Sequence, residues 1–205
     1  LKLKKLDFKS NLIQSIELKK KIYKNHGLKE KELKKIIQII TKCLIKGGKL
    51  MFCGNGGSAS DAQHLATEFL IRLKPNLNRS SIPAISLTLD SSVLTACGND
   101  YGFENVFSRT LESLGNKKDV LIAISTSGNS KNIINVLKKA KKKKIFTIGF
   151  LGYKGGISKK YCGLPFVVKS NIVARIQETH IFLGHLILEA VEKNLIEQKH
   201  ISLIK

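Results

Sequence analysis

Five short, almost unbroken apolar runs constrain what this chain can fold into more than any other feature. They read KLMFC at 49–53, AISLT at 84–88, VLIAIS at 120–125, IFTIGF at 145–150 and LPFVVK at 164–169. A strand with one face in water alternates polar and apolar residues, whereas a strand covered on both faces does not. The runs therefore predict strands of a parallel sheet buried on both sides. Helical patterns lie between and after them, at 58–73, 91–96, 103–113, 130–143 and 174–195. This alternation, with right-handed crossovers, predicts an α/β fold: a doubly wound, five-stranded parallel sheet sandwiched by helices.

A chain of 205 residues suits one compact domain. Ahead of the first strand, residues 1–46 predict two helices used for packing and oligomerisation. Leu12, Ile13, Ile16 and Ile22 recur at near-helical spacing, and Leu33, Ile36, Ile37, Ile40 and Leu44 do so more clearly. A turn is expected near Asn25, His26 and Gly27. An arm with one apolar face and no strand partner suits packing on a neighbouring subunit.

Composition excludes several classes. At 42% hydrophobic and 25% charged, with three prolines, the chain is neither disordered nor fibrous. No apolar run reaches the roughly 18 residues that cross a bilayer, and the lysine-rich start lacks a secretory apolar stretch, so a cytoplasmic protein is expected. Cys43, Cys53, Cys97 and Cys162 form no CxxC pair and read as buried free thiols. The formal charge of +21 invites a nucleic-acid or anionic-membrane reading. Only Arg72, Arg79, Arg109 and Arg175 are arginines, however, and the lysines are dispersed without interleaved aromatics. That pattern favours solvated helix faces, with nucleic-acid binding no more than weak and non-specific. Its field also suits a small anionic substrate.

In doubly wound sheets ligands bind beyond the carboxyl ends of the strands. Two loops there stand out. Gly54-Asn55-Gly56-Gly57-Ser58 permits a tight strand-to-helix turn with free N–H groups, although it is neither GxGxxG nor a Walker A loop. Ser125-Thr126-Ser127-Gly128-Asn129-Ser130 sets four hydroxyls at a helix N-terminus. One hydroxyl would suffice for an N-cap; four favour a phosphate monoester.

Helical side chains supply the remaining candidates. His64 and Glu68 are four apart and leave one helix face together, able to share a metal or a proton relay. By spacing alone, a solvent-facing pair is an equal reading. The final helix carries Gln177, Glu178, His180 and His185 in an apolar run, where a packed core histidine is the simpler account of each imidazole. Gln177 and His185 lie about 80° apart around that helix, so both can face one cleft.

Taken together, GNGGSASDAQHLATEF, Asn99-Asp100, STSGNS and ARIQETHIFLGH resemble, in order and across roughly the whole chain, the phosphoheptose isomerases of the sugar-isomerase (SIS) fold. The resemblance implies a single flavodoxin-like SIS domain over 1–205. It implies conversion of sedoheptulose 7-phosphate to D-glycero-D-manno-heptose 7-phosphate, the first step of bacterial heptose biosynthesis toward lipopolysaccharide. A homotetramer with sites between subunits and one zinc per subunit is implied too. Substrate-binding positions then fall on Asn55, Gly56, Gly57, Ser58, Glu68, Asn99, Asp100, Ser125, Thr126, Ser127, Ser130 and Gln177. Metal positions fall on His64, Glu68, Gln177 and His185, with Glu68 as catalytic base and His185 as acid. Ala174 departs from relatives that carry an acidic residue there.

The chain is also similar to a non-catalytic SIS-fold adaptor, the protein that associates with the bacterial replication initiator. That relative lacks the glutamate and histidine at positions 68 and 185 and carries arginine within its STSG loop. Retention of Glu68, His185 and Ser127 favours the enzyme, with the adaptor as the alternative and a pentose-phosphate isomerase third. A carboxylate to move a carbon-bound proton and an imidazole to manage the hydroxyls are the minimum for an enediol route. Zinc would polarise the carbonyl.

Overall fold

A computed structural model describes residues 8–24, 28–88 and 90–204. Its centre is a five-stranded, wholly parallel sheet in the order β2-β1-β3-β4-β5. The strands are β1 (Leu50–Gly54), β2 (Ala84–Ser86), β3 (Val120–Ser125), β4 (Phe146–Gly152) and β5 (Leu164–Val168). In β1 and β3 every residue is buried, as runs without alternation require. Register is continuous across the centre, with Leu50 beside Val120 and Val120 beside Phe146.

Successive side chains of each strand serve opposite layers. Phe52, Ile122, Ile124, Ile148 and Phe150 pack with Ile36 and Ile40 of α2 (Leu28–Ile45), Leu65 and Phe69 of α3 (Gly57–Leu70), and Ile176, Leu183 and Leu188 of α7 (Val173–Glu197). On the other face Met51, Cys53, Leu121 and Ala123 meet Cys97 of α4 (Ser91–Tyr101), Phe107 and Leu111 of α5 (Val106–Leu114), and Ile133 and Leu137 of α6 (Lys131–Lys142). The doubly wound sandwich expected from the runs is the one found.

Differences lie at the ends of elements. The second strand stops at Ser86, where the Ser86 and Thr88 hydroxyls pair at 2.7 Å, and Asp90 caps α4 through the N–H groups of Ser92 and Val93. Helix α3 ends at Leu70 and not at 73, because the buried Arg79 guanidinium collects its terminal carbonyls. Helix α4 runs on to Tyr101, and a 3-10 turn at Phe103–Asn105 precedes α5. A second such turn, Ile157–Tyr161, had no apolar pattern to announce it.

The arm divides into two unlike parts. In α2, Ile36, Ile40, Cys43 and Leu44 belong to the main core, so this helix is a layer of the domain as much as an arm. By contrast α1 (Phe8–Lys24) leaves Leu12, Ile13 and Ile16 exposed. It is tied to the start of α7, where Arg175 donates to the Asn11 carbonyl at 2.7 Å and Ser15 donates to Glu178 at 2.7 Å. The turn expected at Asn25, His26 and Gly27, and the side chain of Ile22, lie outside the described residues. All four cysteines are free thiols; Cys43, Cys53 and Cys97 are buried and Cys162 is half-buried. Burial pushes the thiols of Cys43 and Cys162 up to about 12, which leaves them inert.

Candidate active site

The sheet order makes β1 and β3 neighbours whose chains leave in opposite directions, and ligands bind in the crevice that opens there. Both loops picked out in the sequence lie at this point. Asn55 and Asn132 join them by a reciprocal amide pair, with N···O distances of 2.9 and 2.8 Å. Gly56 takes a φ of +54, in the left-handed region. At Gly57 a Cβ would strike the carboxamide of Gln177, so the absence of a side chain is what admits α7 to the head of α3.

The hydroxyl loop is organised by its own backbone. Ser125 Oγ accepts from Gly128 N–H at 3.0 Å, and Ser127 Oγ accepts from Asn129 N–H at 3.1 Å. Each hydroxyl keeps its own proton to donate to an anion. Ser130 occupies the N-cap position of α6 without making a side-chain capping bond. Behind the loop, Gly128 accepts from Ser158 N–H at 2.8 Å and Asn129 Oδ1 accepts from Ile157 N–H at 2.9 Å. The turn after β4 thus supports the loop from below.

An imidazole–carboxylate cluster sits farther along α3 and α7, which run side by side in the same direction. Gly57 is beside Gln177, Leu65 beside Gly184, and His64 beside His185. A Cβ at Gly184 would come within 2.6 Å of Leu65 Cδ2, so this glycine sets the close helix approach. As a result His64 Nε2 lies 2.9 Å from His185 Nε2 and 3.4 Å from Glu68 Oε1. Glu68 Oε2 is buried with no hydrogen-bond partner.

Two further titratable groups of these helices, Asp61 and His180, take different places. Asp61, one turn before His64, has a buried Oδ2 without a partner; desolvation pushes its carboxyl up to about 6, while His64 draws it partly back. The two histidines of α7 have opposite fates. His180 is fully buried 6.0 Å from the Phe150 ring, and burial lowers it to about 4, so it stays neutral at physiological pH. Only His185 faces His64.

His64, Glu68 and His185 bring three ligand atoms within 4.8 Å of one another. A tetrahedral zinc with bonds of about 2.0–2.2 Å sets its ligand atoms a little over 3 Å apart, close to the 2.9 and 3.4 Å seen here. Two imidazole nitrogens and the Glu68 carboxylate therefore fit such an ion. Gln177 stands apart from this trio. Its carboxamide lies against Gly57, and eight residues of helix separate it from His185, about 12 Å of rise.

Asn99 and Asp100 are exposed near the end of α4, where the Asn99 amide donates to Asp100 at 2.9 Å. None of their described hydrogen bonds reaches the cluster. Ser58 is buried in the first turn of α3, under Gly54. Sequence reasoning missed Asn132, whose only signal was its place in the first turn after the hydroxyl loop. It also missed the glycines of the turn after β4. Among the described residues no helix is long and apolar enough to cross a membrane.

This doubly wound α/β fold is that of an SIS domain, and residues 14–152 match the SIS domain family model. The phosphoheptose isomerase of Clostridium acetobutylicum is 48% identical over 185 residues, spanning 90% of this chain and 93% of that protein. That of Sulfurimonas denitrificans is 47% identical over 190 residues, spanning 91% and 94%. Among solved structures, the phosphoheptose isomerase of Neisseria gonorrhoeae superposes with a TM-score of 0.82 at 36% identity, covering 90% of this chain and 96% of that one. The Francisella tularensis phosphoheptose isomerase gives 0.84 at 31% identity, with the same coverage. The chain belongs to the phosphoheptose isomerase family.

Proposed function

We propose that this chain is an aldose–ketose isomerase that converts sedoheptulose 7-phosphate to D-glycero-D-manno-heptose 7-phosphate through an enediol, opening bacterial heptose biosynthesis toward lipopolysaccharide. The observation that carries this reading is the His64–Glu68–His185 cluster on the helices whose heads adjoin the two loops, which we read as a two-ended site. In the substrate the phosphate is on C7, whereas the reacting carbons are C1 and C2. In the protein a hydroxyl-rich helix N-terminus stands at one end and an imidazole–carboxylate cluster at the other, joined through Asn55–Asn132 and Gly57–Gln177.

Ser125, Thr126, Ser127 and Ser130 donate to the phosphate, helped by the positive end of α6. Asn55, Gly56, Gly57, Ser58, Asn99, Asp100 and Gln177 orient the sugar. Glu68 removes the proton from C1 and returns it to C2, while His185 moves the proton between the two oxygens. His64, Glu68 and His185 would hold one zinc per subunit. When bound, zinc would polarise the substrate carbonyl. A ligated glutamate is a weaker base, so the two roles of Glu68 compete. A binding-only adaptor would have no use for this cluster.

We read 1–205 as one SIS domain that works in the cytoplasm as a homotetramer. The test is incubation with sedoheptulose 7-phosphate, with and without chelator, measuring the aldose phosphate formed. Formation of the heptose phosphate is expected. A protein that binds the sugar phosphate yet forms no aldose under either condition would leave only the adaptor.

A further inference from the structure

Arg79 was singled out by nothing in the sequence, and the isomerase mechanism does not use it. Its side chain is nevertheless among the most heavily bonded groups in the molecule. Residue Arg79 is 4% exposed and Glu192 is 2% exposed. Arg79 Nε donates to Glu192 Oε1 at 2.6 Å, Nη2 donates to the Glu68 carbonyl at 3.0 Å, and Nη1 donates to the carbonyls of Phe69 at 3.0 Å and Ser80 at 3.1 Å. The last carbonyls of a helix have no intrahelical partner, and here one guanidinium takes two of them. One of the two belongs to Glu68.

The other end of the ion pair lies on the second helix of the site. Glu192 is seven residues beyond His185 on α7, two turns farther along nearly the same face. The Arg79 loop is itself closed by the end of the chain, because Ser80 N–H donates to the Ser202 carbonyl and Ile204 N–H to that of Asn78, both at 2.9 Å. We infer that Arg79 is a positioning residue: its guanidinium, held by Glu192, fixes the last turn of α3 against α7 and so sets Glu68 and His64 relative to His185. This inference rests on the roles proposed above for those three side chains.

A planar, five-donor fork is needed for this task. Lysine would retain the charge toward Glu192 but could not reach several acceptors in one plane. Removing one partner alone leaves an uncompensated buried charge, so Arg79→Ala would report mostly on folding. An apolar pair of similar volume is commonly neutral or better for stability. Arg79→Met/Glu192→Leu therefore removes the clamp without leaving an unpaired buried charge, and melting gives the folded fraction against which its activity is read.

The experiment compares wild type, Arg79→Lys and Arg79→Met/Glu192→Leu for thermal melting, for kcat and KM on sedoheptulose 7-phosphate, and for zinc affinity by competition with a chromogenic chelator. Both variants are expected to lose at least about 10-fold in kcat and in zinc affinity, as outer-shell changes at metal sites do. KM should move less than about twofold, because the phosphate end of the site is untouched. Because the apolar pair also leaves the Glu68, Phe69 and Ser80 carbonyls without their guanidinium donor, it should melt lower than wild type, and kcat and zinc affinity are read at temperatures where melting shows it folded. Wild-type kcat and zinc affinity in a folded variant would overturn the inference, as would losses matching the fraction of unfolded protein. Failure of wild type itself to isomerise would instead defeat the functional reading; the zinc competition would still test the clamp.

Discussion

In the proposed mechanism Glu68 and His185 act only together, because a proton leaving carbon and a proton moving between oxygens need separate groups. Glu68→Gln keeps shape and hydrogen bonding but removes the proposed base; His185→Gln removes the proposed acid and one proposed metal donor. Each is expected to lower turnover by at least about 100-fold, with the double variant little worse than the poorer single. Calorimetry should find the sugar phosphate still bound by both, since Ser125–Ser130 is unaltered. Near-normal turnover in Glu68→Gln would make Asp61 or Asp100 the next base to test. Asp61 also gives a pH signature. Its carboxyl titrates at about 6 in the folded chain and near the usual ~3.9 when unfolded. Between those values the folded protein holds a proton that the unfolded chain has lost, so stability falls as pH rises through this window and stays lower above it. Asp61→Asn should melt higher than the parent at about pH 8, and the difference should close by about pH 4. Identical melting at both pH values would contradict the buried, unpartnered placement of this carboxyl. At this scale the sequence was most legible where chemistry is local. The four hydroxyls of 125–130 and the i, i+4 pair at 64 and 68 were plain. The difference between His180 and His185 was not, since both lie in one apolar run and only the packing of α7 on α3 separates them.

At the scale of elements, the strands were the most legible part, because unbroken apolar runs leave few alternatives to a buried parallel sheet. Helix ends were less so: α3 stops where it meets Arg79, a residue distant enough in sequence to give no warning. The arm was legible as two helices but not in how differently they pack. Ile36, Ile40 and Leu44 of α2 lie in the core, whereas Leu12, Ile13 and Ile16 of α1 stay exposed, a distinction that depends on where α7 lies. Gly184 illustrates how one position governs two elements. Gly184→Ala would place a methyl group against Leu65, and overpacking of this kind usually costs about 1–3 kcal/mol. We expect that loss in denaturant melts, together with lower turnover as His185 is pushed away from His64. An unaltered kcat would mean that the close helix approach is not needed for the reaction.

For the molecule as a whole, charge and assembly make separate predictions. The lysines are spread over exposed helix faces, so duplex DNA should bind weakly, without sequence preference and with a steep dependence on salt. Sequence-selective nanomolar binding at physiological salt would revive the adaptor. Light scattering should find a tetramer. Deleting residues 1–24 should dissociate it while leaving the core folded, because Ile36, Ile40 and Leu44 remain. A tetramer that survives this deletion would move the interface elsewhere. What the residues themselves offer for assembly is an exposed apolar stripe, Leu12, Ile13 and Ile16; the partner of such a face is not written in a single chain.

The amide pair between Asn55 and Asn132 has a consequence in descent as well as in shape. Each carboxamide supplies one donor and one acceptor to the other, and Asn132 Oδ1 also receives the Ile133 N–H. Replacing either asparagine alone leaves its partner with an unanswered amide in a half-buried crevice. Lineages that alter one position are therefore expected to alter the other in step, so that two sites 77 residues apart in the gene inherit as a single character.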